Sequence, residues 1–115
     1  MSAQSPITTH VLDTARGKPA KGVGITLERR EPGGFVVVGT GATDDDGRLR
    51  TLLAPGELVA GTYRITFDVG AYHAALGTDG FYPEASVTFV VKDAAAHYHV
   101  PLLLNPFGFA TYRGS

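Results

Sequence analysis

Four histidines, one arginine and a polar closing segment carry most of the groups in this 115-residue chain that could move a proton or hold an anion. His97 and His99 are two positions apart, so on a strand they share a face. His10 lies in an extended run in which Thr8 and His10 also share a face, and His73 sits in an alanine-rich stretch. Imidazole is the side chain best matched to proton transfer near neutral pH. A lone strand histidine serves equally well as a structural hydrogen-bonding group. The spacing also permits a zinc site of His10, His97 and His99, since zinc takes three or four ligands at about 2.0–2.1 Å, but His-x-His does not by itself require one. The closing segment, Thr111-Tyr112-Arg113-Gly114-Ser115, brings a phenol, a guanidinium and a hydroxyl beside a terminal carboxylate. A loose tail cannot hold such groups in place; a strand docked on a core can.

Arg48 follows the acidic turn Asp44-Asp45-Asp46-Gly47. It reads either as an exposed arginine at a strand start or as a planar donor fork for carbonyl oxygens and anions. The three aspartates lack an EF-hand spacing and read as a solvated turn rather than a calcium loop. The glycines at 22, 24, 33 and 34 make no dinucleotide fingerprint, and no nucleophile elbow or phosphate loop is present.

These groups need a frame, and the sequence predicts one built of strands. Fifteen glycines and seven prolines punctuate runs rich in Val, Ile, Thr, Phe and Tyr, the pattern of a sandwich or barrel. Strands are expected at 7–12, 23–29, 35–40, 48–53, 62–69 and 85–91. A hairpin of 97–104 with 109–113 would turn at Asn105–Gly108. Alternation is clear where Val23, Ile25 and Leu27, or Tyr63, Ile65 and Phe67, fall on one face. The stretch 71–76 is the best helix, about two turns long and ended by Gly77. The whole is all-β, about eight strands and one short helix, in a single domain over residues 1–115 with 1–6 flexible.

Composition narrows the function classes. Hydrophobic residues make up 43% and charged residues 18%, enough apolar content for a packed core. The formal net charge is −1 with no basic block, which argues against nucleic-acid and membrane partners. With no cysteine, disulfides and thiolate chemistry are excluded. No apolar run reaches the roughly 20 residues of a membrane span, no secretory signal opens the chain, and a cytoplasmic location is the default expectation.

Three segments together resemble one family: Thr8-Thr9-His10-Val11-Leu12-Asp13-Thr14, Asp46-Gly47-Arg48, and His97-Tyr98-His99-Val100-Pro101-Leu102-Leu103-Leu104 leading to Tyr112-Arg113-Gly114-Ser115. The likeness extends over 67–72 and 81–84. The chain resembles the 5-hydroxyisourate hydrolases, the enzyme branch of the transthyretin-like proteins. The closing Tyr-Arg-Gly-Ser is the most diagnostic motif, since the hormone carriers of this fold lack it. The resemblance implies a two-sheet β-sandwich assembled as a homotetramer, a dimer of dimers with clefts at the dimer–dimer interface. It implies hydrolytic opening of 5-hydroxyisourate to a ureidoimidazoline carboxylate in urate breakdown, with no cofactor and no required metal. The family's catalytic residues fall on His10, Arg48, His99 and Ser115. Substrate binding falls on His10, Arg48, Tyr112, Arg113, Gly114 and Ser115. His97 matches the motif's other histidine and is read as structural. The competing readings are a small-ligand carrier of the same fold, a zinc hydrolase and a purely structural sandwich.

Overall fold

A computed structural model describes residues 5–114. The elements are β1 (Ile7–Asp13), β2 (Lys18–Pro19), β3 (Gly24–Glu31), β4 (Gly34–Ala42), β5 (Arg48–Leu49), β6 (Gly61–Phe67), α1 (Val69–Ala75), β7 (Ala85–Val91), β8 (Tyr98–Asn105) and β9 (Gly108–Thr111). They form two sheets. One runs β2-β1-β8-β9 with β5 paired to β1, and the other runs β4-β3-β6-β7. The expected all-β sandwich with one short helix is what the chain forms.

Alternation explains the layers. In β6, Tyr63, Ile65 and Phe67 are fully buried while Thr62, Arg64 and Thr66 are half-buried. In β1, Ile7, Thr9, Val11 and Asp13 point inward, and in β8 Tyr98, Val100, Leu102 and Leu104 do the same. The two inner faces meet in one apolar layer that also takes in Ile25, Leu27 and Val91. Each such side chain contributes about 1.5–3 kcal/mol by leaving water, and truncating Leu27 or Ile65 to alanine would cost about 2–5 kcal/mol.

Two features set the outer face of the five-stranded sheet. The first is that β1 and β8 pair in parallel, with Thr8 opposite His99 and His10 opposite Pro101. The second is the antiparallel pairing of β1 with β5, which sets His10 opposite Arg48. Opposed residues in a ladder project to the same side. Thr8, His10, Arg48, His99 and Pro101 therefore share one face, turned away from the core.

The structure trims and extends several expected elements. The strand expected over 48–53 ends at Leu49, because Leu52 and Leu53 both turn into the core and the Leu53 amide donates to the Ser5 hydroxyl at 2.9 Å instead of to a ladder. The helix begins at Val69 rather than Ala71. Asp68 caps it, its carboxylate accepting from the Ala71 amide at 3.3 Å. The Lys18–Pro19 strand falls in a stretch whose glycines and proline suggest only a loop; proline is tolerated there because β2 is an edge.

Candidate active site

Arg48 owes its position to the acidic turn. One Asp44 carboxylate oxygen accepts from the backbone amides of Asp46 and Arg48, both at 2.9 Å. These bonds, the Arg48 amide first, hold the Asp44 carboxyl below its ordinary pKa, and they close the turn into a rigid loop. Gly47 adopts φ +75°, and its carbonyl accepts from the Val11 amide at 2.7 Å. A side chain there would run into the Val11 carbonyl. Glycine is thus required twice over, by the left-handed backbone and by the close approach to β1. The turn is pinned to β1, and Arg48 emerges beside His10. Asp45 is engaged elsewhere, with Lys21 at 2.8 Å.

The two motif histidines converge on one hydroxyl. Thr8 Oγ1 lies 2.8 Å from His99 Nδ1 and 2.9 Å from His97 Nε2. Thr8 is only 4% exposed, His99 is half-buried and His97 is exposed. Both rings turn on Thr8, and among the described residues no three His, Cys, Asp or Glu side chains cluster so as to hold a metal ion. Sequence reasoning does not single out Thr8. The only signal is its place on the face of His10; its partner across the parallel ladder lies 91 residues away.

The closing segment returns to His99. β9 pairs with β8 through Leu102↔Thr111, and the same register reappears at an isolated bridge, His99↔Gly114. Between them stands Pro101, which has no N–H to donate. The ladder lapses there and is restored when the Gly114 amide donates to the His99 carbonyl at 2.9 Å. A Cβ on Gly114 would lie 2.6 Å from His99 Cδ2 and 3.3 Å from the Pro101 ring, so the backbone presses directly on the imidazole. With Nδ1 held by Thr8 and the Cδ2 edge covered by Gly114, Nε2 is the polar atom of His99 left without a hydrogen-bond partner among the described residues.

The predicted site residues do not all meet. His10, Arg48, His99 and Gly114 come together on the outer face. Arg113 turns to the other side of the strand, where its guanidinium stacks 4.5 Å over the Tyr98 ring; Tyr98 is itself fixed by bonds with the Asp93 backbone at 3.0 and 3.2 Å. Tyr112 is 57% exposed, and with Arg113, Thr111, His99 and Val90 it lines a cleft of about 250 Å³ at the sheet edge. Ser115 lies outside the described residues. His73 is buried in α1.

The site is electropositive, and this shapes its histidines. Burial, then the nearby Arg48, lower the pKa of His10 below its ordinary 6.5, against a hydrogen bond to the Asp46 backbone and the charge of Asp44 that raise it. Burial is also the largest influence lowering His99, followed by Arg48, His10, His97 and Arg50. A neutral imidazole is therefore favoured at both positions at neutral pH. Two neutral bases beside a fixed cation can accept a proton from water and stabilise developing negative charge.

A family model described as the HIUase/Transthyretin family matches residues 7–114. A Mus musculus protein named 5-hydroxyisourate hydrolase is 43% identical over 113 residues, 96% of each chain. The structure of Klebsiella pneumoniae 5-hydroxyisourate hydrolase superposes with a TM-score of 0.85 at 35% identity, covering all of both chains. Sea bream transthyretin in complex with thyroxine superposes with a TM-score of 0.89 at 31% identity, over 95% of this chain and 94% of that one. The chain belongs to the HIUase/Transthyretin family.

Proposed function

We propose that the protein hydrolyses 5-hydroxyisourate, opening its six-membered ring to 2-oxo-4-hydroxy-4-carboxy-5-ureidoimidazoline in urate degradation. The observation that carries this reading is the convergence of His10, His99 and Arg48 on one outer sheet face with His99 Nε2 directed to no protein partner among the described residues. Opening an amide-like ring needs an activated water, a site for the oxyanion and a proton for the leaving nitrogen. His99 takes the proton from water through Nε2 and gives it back to the leaving nitrogen as the C–N bond breaks, while neutral His10 positions the water and the ring by hydrogen bonds. Arg48 holds the substrate oxygens and the charge that develops on them. Tyr112 and Gly114 form the wall beside the ring, and Arg113 secures that wall through Tyr98.

The outer face bears half-buried Leu12 and Leu103 as well as the polar groups. A second copy of the chain covering it would complete a cleft, and the working assembly proposed is a homotetramer, a dimer of dimers, with this face between dimers. Names of relatives support the same substrate, since the mouse and Klebsiella proteins are called 5-hydroxyisourate hydrolases. The test is turnover of freshly prepared 5-hydroxyisourate, followed spectrophotometrically against its spontaneous decay. Acceleration by the wild type, lost in His99→Asn and Arg48→Ala, is expected. Saturable binding without turnover would instead mark a small-ligand carrier.

A further inference from the structure

We propose that Thr8 is a proton relay joining His99 to His97, so that the charge collected at the cleft is passed to an imidazole in contact with water. The proposal rests on the hydrolase reading above and assigns a role to two residues that reading leaves idle. A threonine hydroxyl has one hydrogen to give and lone pairs to receive. Thr8 Oγ1 stands within hydrogen-bond distance of both His99 Nδ1 and His97 Nε2. It can donate to only one of them, so the other must carry an N–H. The two tautomers are thereby coupled.

The availability of His99 Nε2 as a base selects one arrangement. With Nε2 bare, the ring proton of His99 is on Nδ1 and donates to Thr8, and Thr8 donates to the bare Nε2 of His97. When His99 Nε2 takes a proton from water, Nδ1 releases its proton to Thr8 Oγ1 and Thr8 passes its own to His97 Nε2. One N–H and one O–H bond break, and one O–H and one N–H bond form. His99 ends neutral with its proton on Nε2, and His97 ends as the imidazolium. His99 is half-buried beside Arg48, where a second positive charge is disfavoured; His97 is exposed, where water solvates it. The downhill direction runs outward. Three features suit Thr8 to relaying: it is nearly inaccessible to solvent, held in the parallel ladder opposite His99, and unable to swing away. Here Thr8 is a positioning and relaying residue; it need not touch substrate.

The experiment compares wild type, Thr8→Val and Thr8→Ser in the full chain. Nitrogen-15 spectra of the histidine rings, taken without substrate near neutral pH, are expected to show both His99 and His97 with the proton on Nδ1 in wild type and Thr8→Ser. In Thr8→Val both rings are expected to return to the Nε2–H form. A wild-type His99 with bare Nδ1, or tautomers unchanged in Thr8→Val, overturns the relay. In kinetics, Thr8→Val is expected to lose at least about tenfold in kcat with KM within about twofold, and Thr8→Ser to recover most of it. A full rate in Thr8→Val with altered tautomers also overturns it. Absence of turnover in the wild type refutes the hydrolase reading, while the ring spectra still decide whether Thr8 couples the two histidines.

Discussion

Gly114→Ala is the sharpest probe of how the closing segment acts on His99. Carbon atoms in ordinary contact sit about 3.5–4.0 Å apart. The added methyl would lie 2.6 Å from His99 Cδ2, 3.3 Å from Cγ and 3.3 Å from the Pro101 ring. Something must move by about 1 Å to restore normal contact. Pro101 is rigid, and His99 cannot rotate freely without giving up the 2.8 Å bond from Nδ1 to Thr8. Either the imidazole leaves its position or the segment lifts off, and each separates the wall from the base. A misplacement of about 1 Å at a reacting group costs about 10²-fold in rate, equivalent to about 2.7 kcal/mol of barrier. Stability should change far less, because the lost bridge is one backbone hydrogen bond worth about 0.5–1.5 kcal/mol net. The assay pairs initial rates on fresh 5-hydroxyisourate with a urea unfolding curve. A folded Gly114→Ala protein with kcat/KM within about twofold of wild type would refute the idea that the close approach serves the chemistry.

Four further outcomes are expected. Arg48→Ala should raise the pKa of both His10 and His99, since Arg48 follows only burial among the influences lowering each; proton NMR titration that leaves both unmoved contradicts the electrostatic account. Because the folded pKa of these histidines lies below 6.5, the unfolded chain binds more protons as the pH falls through that value, and stability must decline there; chemical unfolding at pH 7 and pH 5.5 should show a smaller decline in His99→Asn than in wild type. Tyr72 donates to the buried Asp13 carboxylate at 2.7 Å, so Tyr72→Phe is expected to lose about 1.5–3 kcal/mol, the range for a hydrogen bond to a charged group, and an unchanged denaturation midpoint would count against it. His73, 3% exposed with neither ring nitrogen partnered among the described residues, predicts the opposite sign: His73→Leu should hold or gain about 1 kcal/mol by removing unsatisfied polar atoms, which thermal unfolding would check.

Local signals carry a large part of the fold. Period-two alternation locates β7 to the residue and β6 to within two, since the expected strand over 62–69 runs on into the start of α1 while Tyr63, Ile65 and Phe67 do alternate into the core. The Asn105–Gly108 turn places the β8–β9 hairpin. Where side chains leave the ladder, alternation says nothing, and an apolar stretch such as the one after Leu49 reads as strand for that reason. In the site, the family resemblance points to His10, Arg48 and His99, but not to what unites them. A parallel pairing between the first strand and the eighth leaves no local trace, since neither turn chemistry nor spacing encodes it. Thr8 therefore looks like an ordinary strand threonine, and His97 like a structural histidine, until the register sets His97 and His99 either side of the Thr8 hydroxyl. Arg113 shows the converse. Its type suggests an anion contact, whereas strand parity turns it toward the Tyr98 ring.

The parallel ladder between β1 and β8 also imposes an order in time. Its side-chain bonds join residues 89 to 91 positions apart, so neither strand can find the other until nearly the whole chain exists. Synthesis at about 5–20 residues per second leaves β1 waiting roughly 5–20 s for its neighbour. Contacts this distant in sequence form slowly, since the intervening loop must first be closed. During that interval the four-stranded sheet β4-β3-β6-β7, built wholly from antiparallel neighbours, can assemble by itself. The histidine pair and Thr8 meet only when β1 and β8 pair, the step that also supplies the second inner face of the core, so the packed interior and the means of hydrolysis arrive together.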